Sequence, residues 1–145
     1  MLLKFIYPKD VLQNVSKEEI CQTICNTMST ELILPDTLIV EFVWLEKHNH
    51  ADTYVHYKDG PRIRLSLHLD INDIVIPLTH ELIHLEQLTL GKLMITHTGV
   101  YVWEKKAYTV DPTKMSYNEY VHLPWELDVH NRLPKLLEHL FKSCM

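Results

Sequence analysis

Two histidines four residues apart, with a glutamate directly after the first, constrain this chain more than any other stretch: His80-Glu81-Leu82-Ile83-His84. An α-helix turns by about 100° per residue, so His80 and His84 project from nearly the same side, one turn apart, and both imidazoles can bind one metal ion. Glu81 lies next to that face, within reach of a water on the open side of the ion, where a carboxylate serves as general base. With ten His among 145 residues, this HExxH pattern arises by chance about 0.05 times in such a composition, so its surroundings must support it.

They do, because the flanking residues independently require a helix. Pro77 suits a first helical position and Gly91 the residue just past the end, with no breaker between them, which predicts a helix over residues 77–90. Leu78, Leu82 and Leu85 cover one side and Ile83 and Leu90 another, leaving the His80/His84 stripe as the least apolar face. Gln87 shares that stripe, placed either to orient a ligand or to sit at the core edge.

Upstream, residues 2–7 read as a short strand and 8–15 as a connection. Ser16-Lys17-Glu18-Glu19 has the capping-box form, and Ile20, Cys21, Ile24, Cys25 and Met28 recur at helical spacing, which predicts an amphipathic helix over 16–30. Residues 37–45 are rich in β-branched and aromatic side chains and read as a strand. Residues 53–58 and 62–69 flank the turn signal Asp59-Gly60-Pro61 and should form a hairpin. In its second arm Ile63, Leu65, Leu67 and Leu69 alternate with Arg62, Arg64, Ser66 and His68, a period of two that puts one face on a core and leaves the other wet. His48 and His50 fall in a polar loop, where histidines need no metal, and neither His68 nor His139 calls for a functional role.

Downstream, residues 93–110 alternate loosely around the candidate turns Thr98-Gly99 and Glu104-Lys105-Lys106, the pattern of a small irregular hairpin or meander able to wall a metal site. Tyr117, Tyr120, His122, Trp125 and Glu126 then gather within ten residues. Pro124 suits the start of a helix from about Trp125, and Leu133, Leu136, Leu137, Leu140 and Phe141 continue an apolar stripe that Pro134 should kink or split.

Length and composition bound the rest. At 145 residues and 46% hydrophobic content, the chain is expected to be one domain, residues 1–145, with a core large enough to fold without staples. A net charge of −5 without any Lys/Arg-dense run argues against a nucleic-acid or anionic-membrane partner, and the apolar stretches are too short to span a bilayer. Lys4 interrupts the apolar start and no small-residue cleavage site follows, so no signal peptide is expected. Cys21, Cys25 and Cys144 offer no plausible disulfide framework, which points to free thiols in a reducing, cytoplasmic setting.

A catalytic zinc site takes three protein ligands and keeps a position for water, so a third ligand is required. Glu126, His97, His122, His130 and Glu104 are the candidates, with Glu126 foremost because it opens a helix that can face His80 and His84 across a helix pair.

The run His80-Glu81-Leu82-Ile83-His84-Leu85-Glu86-Gln87, followed by Tyr117, Tyr120 and Leu123-Pro124-Trp125-Glu126-Leu127-Asp128, resembles the small zincin-type metallopeptidase domains of bacteria and bacteriophages. In these glutamate-type zincins an HExxHxxQ helix precedes a Pro-aromatic-Glu helix, and the resemblance covers residues 62–132. It implies an α+β fold, with a small mixed or antiparallel sheet packed against the central HExxH helix and a C-terminal helix. It further implies Zn2+ held by His80, His84 and Glu126, with Glu81 as base in the hydrolysis of a peptide or protein substrate. Tyr117, Tyr120 and His122 are candidate donors to the oxyanion, and Asp128 a candidate partner of a metal-bound imidazole. An edge strand at residues 62–69 is placed to pair with an extended peptide. The competing expectation is a non-catalytic structural or phage-assembly protein that retains fold and metal, virion-associated and bound to an assembly partner.

Overall fold

In the computed structural model, which describes residues 1–46, 48–55 and 58–144, the chain is a mixed α+β fold. Among these residues the elements are β1 (Leu2–Ile6), α1 (Val15–Met28), β2 (Thr37–Val43), β3 (Ala51–Tyr54), β4 (Arg62–Ser66), α2 (Val75–Thr89), β5 (Leu93–Ile95), β6 (Tyr101–Trp103), β7 (Lys106–Tyr108), α3 (Tyr117–Val121) and α4 (Pro124–Ser143).

The alternation in β4 sorts Arg62 to Leu65 as expected, whereas Ser66, expected on the wet face, is buried where the strand ends and its hydroxyl accepts from the His68 N–H at 3.2 Å. Ile63 and Leu65 are fully buried, whereas Arg62 pairs with Glu41 at 2.8 Å and Arg64 with Asp52 at 2.6 Å on the opposite face. Val40 lies beside Ile63 and Phe42 beside Leu65, so their side chains extend the same apolar face. Helices α1, α2 and α4 cover it, joining Cys21, Met28, Leu78, Leu82, Val129 and Leu140 to the strands in one buried cluster. Each fully buried Leu or Ile there contributes about 1.5–3 kcal/mol.

The four-stranded sheet runs in the order β1-β2-β4-β3, with β1, β2 and β4 parallel and β3 antiparallel to β4. The expected edge at residues 62–69 is therefore an inner strand, because β2 occupies one side of it and β3 the other, and it ends at Ser66. Its hairpin partner begins at Ala51 and ends at Tyr54; of the arm expected over 53–58, His56 and Tyr57 lie outside the described residues. The free edge on this side is β3.

Caps shift several boundaries. Asn14, not Ser16, starts α1, its side chain accepting from the Lys17 N–H at 3.1 Å. Burial pushes the Cys21 thiol up to about 12 and raises Cys25 further, and all three cysteines are free. A single 3-10 turn at Ile71–Asp73 leads into α2, so Pro77 is its third residue rather than its first. Gly91, at φ +73°, stops the helix, and Leu90, expected in the core, lies past its last turn and is 43% exposed.

The meander expected over 93–110 is the three-stranded sheet β5-β6-β7. Its strands turn at Gly99, and at Glu104-Lys105 where both residues take positive φ. It packs on Trp125, whose ring stacks on Tyr101 at 5.1 Å. Pro124 opens α4, and a capping box between Ser116 and Glu119 forms the short α3 before it. Pro134 does not split α4, which continues to Ser143; Pro134 and His130, whose carbonyl loses a donor, both lie on the exposed side, where leaving a carbonyl without its helix partner costs least. No helix among the described residues is long and apolar enough to cross a membrane.

Candidate metal centre

Two helices assemble the site. The apolar faces of α2 bury Leu78, Leu82, Ile83 and Leu85 completely, and His80 and His84 are on the side that meets Glu126 of α4. In α4, Trp125 is anchored against the small sheet while Val129, Leu136 and Leu140 join the main cluster. Glu126, between these anchors, is turned toward α2 and is 2% exposed.

The donors converge. Metal-ligating atoms of His80, Glu81 and His84 lie within 4.8 Å of one another, a group that could hold a metal ion. Glu126 approaches both imidazoles, with Oε1 2.6 Å from Nε2 of His84 and Oε2 3.5 Å from Nε2 of His80. Glu81 is farther from His80, at 3.8 Å, and its other oxygen accepts from the Thr53 hydroxyl at 2.9 Å. Glu126 is thus the carboxylate held by the imidazoles, and Glu81 the one held by strand β3.

Electrostatics follow from this packing. Burial raises Glu81 above the ordinary carboxylate range against the lowering effect of His84, His80 and the Thr53 bond. Burial by itself would lower His84, but its bond to Glu126 and the charges of Glu81 and Glu126 lift it to about 9. Burial by itself would raise Glu126, yet the bonds from His80 and His84 bring it down to about 2.

A cleft of about 1220 Å³ opens in front of this group. Thr53, Tyr54 and Val55 of the β3 side line one wall and Leu93, Met94 and Ile95 of β5 another, with Glu81, His84, Tyr120 and Glu126 also lining it. Tyr120 donates to Oε1 of Glu126 at 3.2 Å. Its phenol is held well above its ordinary value by burial and by the Glu126 and Glu81 charges, so it stays a donor.

Of the other expected site residues, the structure does not bring Tyr117 or His122 to the cluster. Tyr117 is 79% exposed, and His122, at the C-terminal end of α3, turns Nδ1 to the Asn118 carbonyl at 2.6 Å. The short helix formed by the Ser116 capping box is what carries both away. Glu104 sits at an exposed hairpin tip and His130 on the exposed side of α4; His97 lines the cleft wall from an exposed loop. Asp128 does not meet an imidazole: its Oδ2 accepts from Gln87 at 2.9 Å and from Arg132 at 3.2 Å.

Three residues near the site escaped sequence reasoning. Arg132 stands one turn after Asp128, an acid–base spacing that could have flagged it, and it also binds Glu86. Nothing in the local sequence marks Glu86 or Thr53, whose partners come from other elements. No protein-family model, no curated protein and no solved structure matches the chain.

Proposed function

We propose that this chain is a zinc-dependent peptidase of the glutamate-type zincin class. The observation that carries the reading is the meeting of an HExxH helix with a buried carboxylate, Glu126 lying 2.6 Å and 3.5 Å from the two Nε2 atoms on the floor of an open cleft. Two imidazoles and one carboxylate with an open side form the donor set of a catalytic zinc rather than of a closed structural one. His80, His84 and Glu126 would hold the ion, which when bound polarises a peptide carbonyl and acidifies a water.

The chain's own residues supply the rest. Glu81, its carboxylate oriented by Thr53 and its proton affinity raised by burial, takes the proton of the attacking water and later gives one to the leaving amine. Tyr120, which keeps its proton and lies in the cleft with its hydroxyl on Glu126, would turn that donor to the oxyanion. The substrate strand pairs with β3, not β4. The Ser66 N–H bonds the His50 carbonyl at 2.9 Å, so by antiparallel alternation the backbone groups of Ala51 and Thr53 point away from β4 toward the free edge.

The test is metal content and hydrolysis in parallel. Protein purified without added metal should carry one zinc, lost in His84→Ala. Glu81→Gln should keep zinc and lose cleavage of an unfolded protein substrate. Glu81→Gln with undiminished cleavage, or undiminished biological activity, would remove the peptidase reading and leave the assembly role.

A further inference from the structure

Behind the metal group, on the side away from the cleft, a polar network runs between α2 and α4. Gln87 is completely buried and every polar atom of its side chain is used. Its Oε1 faces Nδ1 of His84 at 2.8 Å, while Nε2 donates to the Trp125 carbonyl at 3.0 Å and to Asp128 at 2.9 Å. The amide cannot be reversed, because its oxygen would then face a carbonyl and a carboxylate. His84 therefore donates from Nδ1, and Nε2 is the nitrogen presented to an ion. The same amide grips the backbone of Trp125, the residue before Glu126.

The network continues outward. Asp128 accepts from Arg132, Arg132 reaches back to Glu86 on α2 at 2.5 Å, and the second Glu86 oxygen accepts from the Ile33 N–H at 2.6 Å. Helix α2 is thus tied to α4 at two points, one beside His84 and one beyond it. Apolar residues would hold two helices together at least as well as buried ions. What a hydrogen-bonded network adds is one fixed register and ring orientation.

Resting on the metal-site reading above, we infer that Gln87, Asp128, Arg132 and Glu86 are positioning residues that set the affinity and geometry of the metal centre. They fix the His84 ring and hold the Glu126 end of α4 in register with α2, without touching the ion or the substrate.

Zinc affinity by chelator competition, and the visible spectrum of the Co2+-substituted protein, test this without any substrate. Gln87→Leu should weaken zinc about 10–100-fold and shift the Co2+ bands. Arg132→Met, partly exposed and in contact with neither histidine, should weaken zinc in the same direction by less, and Asp128→Asn, which still accepts from Gln87 and Arg132, should stay close to wild type. Should Gln87→Leu not fold, Arg132→Met decides. Wild-type affinity and an unchanged Co2+ spectrum in folded Arg132→Met and Gln87→Leu would overturn the positioning role alone. A wild-type protein that binds neither zinc nor Co2+ would overturn the metal-site reading and this inference with it.

Discussion

Nε2 of His84 lies 2.6 Å from Oε1 of Glu126, a hydrogen-bonded ion pair between two helices that makes the metal-free protein's stability depend on pH from both sides. The His84 value is raised from 6.5 to about 9, so its contribution is complete below 6.5 and is lost as pH rises through about 9. The Glu126 value is lowered from 4.5 to about 2, so its contribution is complete above 4.5 and is lost as pH falls through about 2. Denaturation of the chelator-treated protein should show greatest benefit from this pair between those limits, and Glu126→Gln should flatten both flanks. A wild-type profile as flat as that of Glu126→Gln would contradict the pairing.

Under the metal-site reading, zinc would have to displace the proton that His84 holds below about pH 9. Its affinity should then rise about tenfold per pH unit on approaching pH 9 from below, with proton release visible as a buffer-dependent heat of binding. A pH-independent affinity over that range would show that no proton of His84 is displaced.

Thr53 holds the Glu81 carboxylate from the sheet edge. Thr53→Val keeps the shape but leaves a buried acid with one donor fewer, a loss of about 1–3 kcal/mol, whereas Thr53→Ser should remain near wild type. Thermal unfolding measures the difference. Under the peptidase reading, turnover should fall in Thr53→Val while zinc content is unchanged, and equal turnover in the two variants would exclude a role in orienting the base.

Glu104 and Lys105 join β6 to β7 with φ of 48° and 71°, a turn that favours glycine. Replacing Lys105 by Gly should relieve strain of about 1 kcal/mol and raise the melting temperature without altering metal binding. A lower melting temperature would mean that the Lys105 side chain contributes more than its backbone conformation costs.

Much of the framework was legible because it is local. Of the alternation expected over residues 62–69, the part from Arg62 to Leu65 appears in the structure, as do the apolar faces of α2, Gly91 as its stop and Pro124 as the start of α4, each read from neighbours in sequence. The errors arose where a partner is distant or where two caps compete. Asn14 outcompeted Ser16, β2 took the side of β4 that looked like an edge, and Ser116 formed a helix that swings Tyr117 and His122 aside.

By itself the sequence determined that two imidazoles and a glutamate share one stretch of helix, because helical spacing is a property of adjacent residues. That Glu126 reaches those imidazoles, that Thr53 rather than any motif residue holds Glu81, and that Gln87 binds both the His84 ring and the Trp125 carbonyl was decided only by the tertiary structure. Those contacts depend on how α4 and β3 seat against α2, which is set by burial summed over the whole core rather than by any short run of residues.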